Sequence, residues 1–315
     1  MPELPEAEVV RRGMAPWVAS AVAGPLEVLD ARSLRRSPGG PEALRERLDG
    51  ARLAEPARRG KFLWIPLAGR GAEGEEEAVV VHLGMSGQVR ADAPGTPDPR
   101  HLRLRLPVRT PGGQAAELRF ADQRVFGGWW LDRLVTDPAT GEALPSTAAH
   151  LGLDPLHPAF DPDAVHARLV RRRSTVKRAL LDQGLVSGIG NIYADEALWA
   201  ARVHPERPTE RMSRAQTRAV LTAVQEVMRR ALEAGGTSFD ALYVNVDGRS
   251  GEHARSLQAY GRTGQPCRRC AAEGRAGVIV REPFMNRASH LCPVCQPRPR
   301  RRVPRLGGPA RKEPS

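Results

Sequence analysis

The sequence predicts an α+β protein, in which an N-terminal antiparallel β-sandwich with a leading helix is followed by a helical domain and a four-cysteine zinc finger. Residues 26–131 contain short strand-like runs. In the run from His101 to Leu106, leucines alternate with arginines, as in a strand with one buried face. Beyond about residue 159 the apolar residues recur at helical spacing. All four cysteines lie near the C-terminus in two Cys-x2-Cys pairs. We therefore expect packed sheets first and helices second.

The leading helix is predicted over residues 3–20. Arg11 and Arg12 face away from a stripe of apolar and small residues at helical spacing, namely Val9, Val10, Gly13, Met14 and Trp17. Pro16 weakens the last turn, because a proline inside a helix removes one backbone hydrogen bond.

Changes in composition divide the chain into five segments. We predict a β-sandwich domain over 1–135, a linker over 136–158, a helical domain over 159–255, a zinc finger over 256–297 and a disordered basic tail over 298–315. The linker is rich in Pro, Gly and Thr, and the tail consists mainly of Pro, Arg and Gly.

Capping patterns place the helices of the second half. Asp161 followed by Pro162 is typical of a helix start, with Asp as the N-cap. Ser213 and Gln216 form a capping box, and the helix behind it is predicted to end at Gly235-Gly236.

Charge and composition narrow the classes of partner. The 315 residues carry a net charge of +12, from 48 Lys plus Arg against 36 Asp plus Glu. This excess suits nucleic acid, although a composition biased towards Arg is an alternative explanation.

We find no secretory signal and no run of roughly 18 apolar residues, so we expect a cytoplasmic protein without a membrane span. Because cytosolic thiols stay reduced, the paired cysteines indicate a metal-binding site in preference to a disulfide.

The four cysteines form the most specific pattern in the chain, Cys267-x2-Cys270-x21-Cys292-x2-Cys295. Two pairs of thiolates provide four sulfurs for one tetrahedral zinc ion, and a site closed by four cysteines is structural. The segment between the pairs suits a β-hairpin from which Arg281 and Arg287 could contact phosphate.

The first six residues suggest a nucleophile. Removal of Met1 would leave Pro2 with a free amine, and such an amine has a reference pKa of about 7.7–8.0, so it is partly unprotonated near neutrality. Glu3 and Glu6 could transfer protons beside it. The alternative is that the prolines only shape the N-terminus while the glutamates favour a helix start.

Two further motifs suit contact with DNA. The glycine-rich turn Gly184–Gly190 leads to Asn191 at a helix N-terminus, where backbone N–H groups could bind a phosphate. An ordinary packing turn is the alternative. Met85, in the turn 82–87 that begins with His82, is a candidate wedge for an opened base step, although Met is more often a core residue.

Three other residues add to this set. Arg124 and Phe126 are two residues apart and are predicted to lie side by side on a strand face, where Arg could hydrogen-bond a base while Phe inserts. Lys61 is a candidate phosphate contact, or else a solvated lysine.

Together these residues resemble the formamidopyrimidine-DNA glycosylase family, the bacterial Fpg/MutM enzymes, over residues 1–297. The resemblance rests on Pro-Glu-Leu-Pro-Glu at 2–6, Gly-Ile-Gly-Asn-Ile-Tyr-Ala at 188–194, Tyr-Gly-Arg at 260–262 and the four cysteines. It implies a helix–two-turn–helix fold for the DNA-binding helical domain and a catalytic role for the sandwich.

The resemblance also implies roles for individual residues. Pro2 is the expected nucleophile and Glu3 the acid/base, while Glu6 supports the active site. The expected catalytic set is Pro2, Glu3, Lys61 and Arg287. The expected DNA-binding set is Glu6, His82, Met85, Arg124, Phe126, Lys177 and Asn191. Within it, the resemblance assigns the space left by a flipped nucleotide to Met85, Arg124 and Phe126, and assigns phosphates to Lys177 and Asn191. Residues 235–251 resemble the loop that closes over the damaged base.

The implied activity is that of a bifunctional glycosylase and AP lyase of base excision repair. It would act as a monomer on damaged double-stranded DNA in the bacterial cytoplasm, excise 8-oxoguanine and formamidopyrimidines, and hold one structural Zn²⁺. Asn286 departs from the Gln that the family has before the finger Arg, and Thr237-Ser238-Phe239 departs from its usual Thr-Thr-Leu.

Three other functions remain open. Endonuclease VIII relatives prefer oxidised pyrimidines, but Leu4, where that branch has Gly, favours the purine branch. A non-catalytic zinc-finger DNA-binding protein would not need a processed Pro2. A zinc-ribbon protein bound to RNA or ribosomes would leave Met85, Arg124 and Phe126 unexplained.

Overall fold

The structure, a computed structural model, describes residues 2–71, 74–236, 246 and 256–300. The helices are α1 Leu4–Val18, α2 Gly40–Leu48, α3 Pro162–Val170, α4 Val176–Leu180, α5 Asn191–Ala200, α6 Arg214–Glu233 and α7 Arg268–Ala272. The strands are β1 Val22–Ala23, β2 Glu27–Val28, β3 Ala57–Arg59, β4 Phe62–Arg70, β5 Glu76–His82, β6 Gly87–Asp92, β7 Leu102–Arg109, β8 Ala115–Asp122, β9 Gly128–Thr136, β10 Ala143–Pro145, β11 Val280–Phe284 and β12 Arg287–Leu291. No helix among these residues is long and apolar enough to cross a bilayer.

The first half is a sandwich of two antiparallel sheets. One has the order β1-β7-β8-β6, with β2 also paired to β7, and the other has the order β10-β9-β5-β4-β3. Alternate side chains of β7, such as Leu104 and Leu106, meet Leu63 and Ile65 of β4 in the core between the sheets. The predicted fold class is confirmed.

Helix α1 contributes to two hydrophobic cores. Val10 and Met14 are fully buried in the sandwich core, whereas Leu4 packs into the core of the helical domain. The Leu4 N–H also donates to the Gly188 carbonyl at 3.1 Å. The amino end of the chain is therefore fixed to the second domain.

The predicted caps of the helical domain are present. Ser213 Oγ accepts from the Gln216 N–H at 3.2 Å, and Gln216 Oε1 accepts from the Ser213 N–H at 3.1 Å, which completes the capping box of α6. Asp161 Oδ1 caps α3 by accepting from the Asp163 N–H at 2.8 Å. Helix α6 ends before Gly235, whose φ of +74° suits glycine.

Three parts of the fold differ from the prediction. Helix α2 lies within the region predicted as strands, and Leu44 and Leu48, four residues apart, bury one face of it. The predicted linker contains β10, which pairs with β9. Arg124 and Phe126 lie on the loop between β8 and β9, so the prediction that they share a strand face is wrong.

Two predicted segments lie largely outside the described residues. Of the predicted closing loop at 235–251, only residues 235, 236 and 246 are described, and the predicted basic tail is described only to residue 300.

Candidate active site and nucleic-acid interface

The Glu3 carboxylate sits at the N-terminus of α5. Glu3 is buried, and its carboxylate oxygens accept from the backbone N–H groups of Gly190 at 2.7 Å, Ile192 at 2.9 Å and Tyr193 at 3.4 Å. A helix N-terminus favours an anion. The predicted anion site of the glycine-rich turn therefore exists, but the protein's own glutamate fills it where a DNA phosphate was expected.

Glu6 supports this arrangement from the next turn of α1. Its carboxylate accepts from the Glu3 N–H at 2.8 Å and from the Tyr193 hydroxyl at 2.8 Å. Glu6 is buried, with 3% of its surface exposed. Glu6 therefore holds the Glu3 backbone and the Tyr193 hydroxyl, and it is buried where contact with DNA was predicted.

Lys61 approaches the same site from the sandwich. Its ammonium donates to the Ile189 carbonyl at 3.1 Å. Gly60 has φ +59°, and a Cβ there would come within 2.9 Å of the Gly188 nitrogen, so only glycine allows this approach. Burial raises the pKa of the Glu3 carboxyl, although Lys61 opposes that shift. Burial likewise lowers the pKa of the Lys61 ammonium.

A cavity of about 510 Å³ opens above Glu3. The helical domain contributes Asn191 and the finger hairpin contributes Arg281 and Arg287, while Met85 reaches it from the sandwich. Pro2 is buried and directly precedes Glu3. A buried carboxyl and the cationic side chains of Arg281 and Arg287 therefore line one opening, which can accept a polyanion.

Met85 and Phe126 protrude from two adjacent loops, with 44% and 51% of their surfaces exposed. Arg124 Nη1 lies 3.8 Å from Met85 Sδ. The Asp122 carboxylate joins the loops by accepting from Ser86 Oγ at 2.6 Å and from the Gly127 N–H at 2.8 Å. Met85, Arg124 and Phe126 are thus brought together, with Met85 on a turn as predicted and Arg124 and Phe126 on a loop where a strand was predicted.

His82 lies behind the Met85 loop. Its Nδ1 accepts from the Gly84 N–H at 3.1 Å, which leaves the proton of the neutral ring on Nε2. Burial, together with the nearby cations Arg36 and Lys61, lowers the pKa of His82 to about 4. The ring is therefore neutral at pH 7, with Nε2 as its hydrogen-bond donor.

Lys177 does not present its charge to DNA in this structure. Its side chain has no exposed surface, and Nζ lies 2.6 Å from Asp195 Oδ1 and donates to Ser289 Oγ at 2.9 Å. The Asp195 carboxylate also accepts from the His290 N–H at 2.9 Å. The predicted phosphate contact is therefore corrected: Lys177 fastens α4 and α5 to the hairpin strand β12.

Asn191 adds to this connection. Its Nδ2 donates to the Ala288 carbonyl at 3.1 Å, and Ala288 follows Arg287 at the start of β12. Because Asn191 also lines the cavity, it can both orient the hairpin and reach a ligand.

Glu196 was not predicted, yet it anchors the finger. Its carboxylate accepts three backbone N–H groups at 2.8 Å each, from Gln258, Ala259 and Tyr260. The available signal was the pair Asp195-Glu196 within an otherwise apolar helix, where buried acids need partners.

The four cysteines converge as predicted. All four are buried, and their Sγ atoms lie within 4.8 Å of one another. The Sγ atoms of Cys267 and Cys295 are 3.9 Å apart, and those of Cys270 and Cys292 are 3.6 Å apart. Sulfurs at 2.3 Å from a tetrahedral zinc ion are about 3.8 Å apart, so the cluster fits such an ion.

Replacing Cys292 by serine is expected to lower the affinity for DNA, because the cluster sets the position of β12 and Arg287. The Zn²⁺ content per chain and the affinity for duplex DNA are the measurements. Val294→Ser is a matched control, since Val294 lies in the same Cys-x2-Cys segment but is exposed. Full metal content and unchanged affinity in Cys292→Ser would contradict this expectation.

Comparison with known proteins agrees with both halves of the fold. Residues 1–129 match the formamidopyrimidine-DNA glycosylase N-terminal domain, and residues 151–242 match the formamidopyrimidine-DNA glycosylase H2TH domain. The chain is 53% identical over 304 residues to the formamidopyrimidine-DNA glycosylase of Thermobifida fusca, covering 95% of this chain and 99% of that protein. It is 52% identical over 300 residues to that of Streptomyces coelicolor, with 95% and 99% covered.

Solved structures agree as well. A Lactococcus lactis Fpg mutant in complex with DNA containing Fapy-dG superposes with a TM-score of 0.78 at 29% identity, covering 94% of this chain and 100% of that one. The Lactococcus lactis Fpg in complex with DNA containing an abasic site gives a TM-score of 0.76 at 28% identity, with the same coverage.

The fold and these matches define a two-domain protein of the H2TH class. More particularly, the chain belongs to the formamidopyrimidine-DNA glycosylase family. The predicted resemblance is confirmed.

Proposed function

We propose that this protein is a bifunctional DNA glycosylase and AP lyase of base excision repair, which excises oxidised purines from damaged double-stranded DNA. The observation that carries the proposal is the placement of the amino end. Glu3 lines an opening together with Arg281 and Arg287, and Pro2 is buried directly before it in the chain. The relatives named above, whose names and complexes refer to formamidopyrimidine lesions, support the purine class.

In the proposed reaction, the Pro2 amine attacks C1′ of the flipped deoxyribose while the bond to the damaged base breaks. The proton lost by the Pro2 nitrogen neutralises the departing base. Glu3 then protonates O4′ of the sugar, so that the C1′–O4′ bond breaks and an iminium forms between C1′ and the Pro2 nitrogen. The resulting iminium acidifies the C2′ protons. Loss of one of them breaks the bond to the 3′ phosphate, and a second elimination releases the 5′ phosphate.

Three groups of residues would prepare the substrate. Lys61 and Arg287 bind phosphates around the flipped nucleotide, and neutral His82 donates from Nε2. Met85, Arg124 and Phe126 occupy the space that the nucleotide leaves. A zinc ion in the cysteine cluster would supply no chemistry beyond holding the hairpin that carries Arg287.

Borohydride trapping tests the proposal. Purified protein without Met1 is mixed with duplex DNA that carries 8-oxoguanine opposite cytosine, and borohydride reduces any iminium to a stable covalent adduct. We expect an adduct with the wild-type protein and none when the terminal amine is acetylated.

Other outcomes would select other functions. Trapping on oxidised pyrimidines but not on 8-oxoguanine would assign the protein to the endonuclease VIII type. Absence of an adduct on 8-oxoguanine, oxidised pyrimidines and abasic sites would favour a non-catalytic DNA-binding protein.

Binding to DNA should weaken steeply as salt is added. Each phosphate contact contributes a slope of about −0.9 to log affinity against log salt, so Lys61, Arg281 and Arg287 together predict about −2.7. Arg281→Gln should reduce the magnitude of this slope by about 0.9, the contribution of one phosphate contact. Arg109→Gln is the control, because Arg109 lies at the end of β7 remote from the loop after β8. Equal salt slopes for the wild-type protein, Arg281→Gln and Arg109→Gln would show that Arg281 does not contact a phosphate.

A further inference from the structure

The loop that carries Arg124 and Phe126 has an unfavourable backbone conformation at its centre. Val125 has φ +53°, in the left-handed region that β-branched residues rarely adopt. This conformation places Arg124 beside Met85 and leaves Phe126 protruding. Other interactions must therefore hold the loop in this shape.

One guanidinium supplies hydrogen bonds along the whole turn. Arg35 Nη1 donates to the Val125 carbonyl at 2.9 Å and to the Gly127 carbonyl at 3.2 Å, and Nη2 donates to the Phe126 carbonyl at 3.1 Å. Three consecutive carbonyls thus face one planar cation, which a lysine ammonium cannot match in geometry. Nη1 also donates to the Arg32 carbonyl at 2.9 Å, so that one of its two hydrogens is shared between acceptors. This bond fixes the guanidinium against the 3-10 helix Ala31–Leu34, which directly precedes Arg35.

The backbone N–H groups of the loop are bound by a different side chain from the one that binds its carbonyls. The Asp122 carboxylate accepts from the Arg124 N–H at 3.2 Å and from the Gly127 N–H at 2.8 Å. Asp122 therefore binds the donors of the turn while Arg35 binds its acceptors. Asp122 is adjacent to the loop in sequence, whereas Arg35 is about 90 residues away and joins the loop to a separate element.

We propose that Arg35 is a positioning residue that holds the strained loop, so that Met85, Arg124 and Phe126 are arranged to enter the duplex before DNA binds. This inference rests on the proposed function, because it concerns the residues assigned to the space left by a flipped nucleotide. A preformed wedge loses less conformational freedom on binding than a flexible one. Arg35 acts through the loop and does not touch the reacting atoms.

The test compares Arg35→Met and Arg35→Lys with Arg32→Met, a control in the 3-10 helix just before Arg35 whose side chain is exposed and pairs with Asp30. Single-turnover excision of 8-oxoguanine from a duplex reports wedge function. Borohydride trapping on a single-stranded abasic DNA reports the amine chemistry alone, because no opposite strand has to be opened. We expect Arg35→Met to slow duplex excision by about tenfold or more, with Arg35→Lys impaired as well, and to leave single-strand trapping within about twofold.

A second-site variant separates loop positioning from direct binding of phosphate by Arg35. Asparagine adopts the left-handed conformation more readily than valine, so Val125→Asn should restore much of the duplex excision to Arg35→Met. If Arg35 instead bound a DNA phosphate, the double variant would not recover, and Arg35→Met would also reduce the salt slope by about 0.9.

Several results would overturn the inference: unchanged duplex excision in Arg35→Met, equal loss in Arg32→Met, equal loss of single-strand trapping, or no recovery with Val125→Asn. Failure of the wild-type protein to trap any abasic DNA would instead refute the proposed function.

Discussion

Replacing Glu3 by glutamine is expected to reduce base excision by about 10²–10⁴-fold, the usual contribution of a positioned acid or base. Glutamine has nearly the same shape, but its amide cannot exchange the proton. Its NH₂ group would also face one of the N–H donors of Gly190 and Ile192 at the start of α5. Single-turnover excision from a lesion duplex is the measurement.

Glu8→Gln is the matched control for this prediction. Glu8 lies on the same helix and is also buried, but it pairs with Arg11, Arg12 and Arg58, away from the opening. Loss of the Glu8 charge should lower the stability of the fold without abolishing base excision. Excision at the wild-type rate by Glu3→Gln would refute the assignment of Glu3, whereas equal loss in both variants would indicate a structural effect.

The raised pKa of Glu3 gives this assignment a pH dependence. Burial favours the protonated carboxyl, whose share falls as pH rises through the raised pKa. An acid-dependent step should therefore slow on the alkaline side of that pKa, and Glu3→Gln should lack this limb. The same shift makes folding more favourable at low pH, and that contribution is lost as pH rises from the ordinary glutamate range through the raised value.

Replacing Lys177 by methionine is expected to cost about 3–5 kcal/mol in the free energy of unfolding, because it leaves the buried Asp195 charge without its partner. Lys177 and Asp195 are 0% and 1% exposed and 2.6 Å apart. The hairpin should also shift relative to α5, which would weaken DNA binding through Arg287. Denaturant unfolding and duplex affinity are the two measurements.

Two variants sharpen this second prediction. Adding Asp195→Asn to Lys177→Met removes the unpaired charge and should recover part of the stability. Arg202→Met breaks an exposed pair with Glu273, also 2.6 Å long, and should cost far less, because solvent screens the two charges. A similar cost for Lys177→Met and Arg202→Met would mean that the buried pair does not fasten the hairpin.

The sequence was informative where the signal is local. The capping box at Ser213, the alternation in β7 and the paired cysteines each depend on residues close together in the chain, and each predicted its element correctly. The first six residues and the glycine-rich turn were likewise singled out as candidate functional segments, and the Glu3 carboxylate binds the end of that turn.

The contacts between these segments could not be predicted from the same signals. Glu3 and Gly190 are 187 residues apart, and nothing near either one indicates that a glutamate would fill the helix N-terminus. Lys177 resembled a surface cation because its partner, Asp195, becomes adjacent only after folding. The loop at Val125 resembled a strand because a positive φ leaves no trace in the identity of a β-branched residue.

Helix α1 belongs to the hydrophobic interiors of both domains, with Leu4 in one and Val10 in the other. This arrangement limits how the gene can change by recombination. A sandwich transferred without the helical domain would lose the surface that buries its own first turn, and a helical domain alone would lose Leu4 and the carboxylate that caps α5. The two halves must therefore be inherited as a pair, and new specificity can arise more readily from the loops around the opening than from exchange of whole domains.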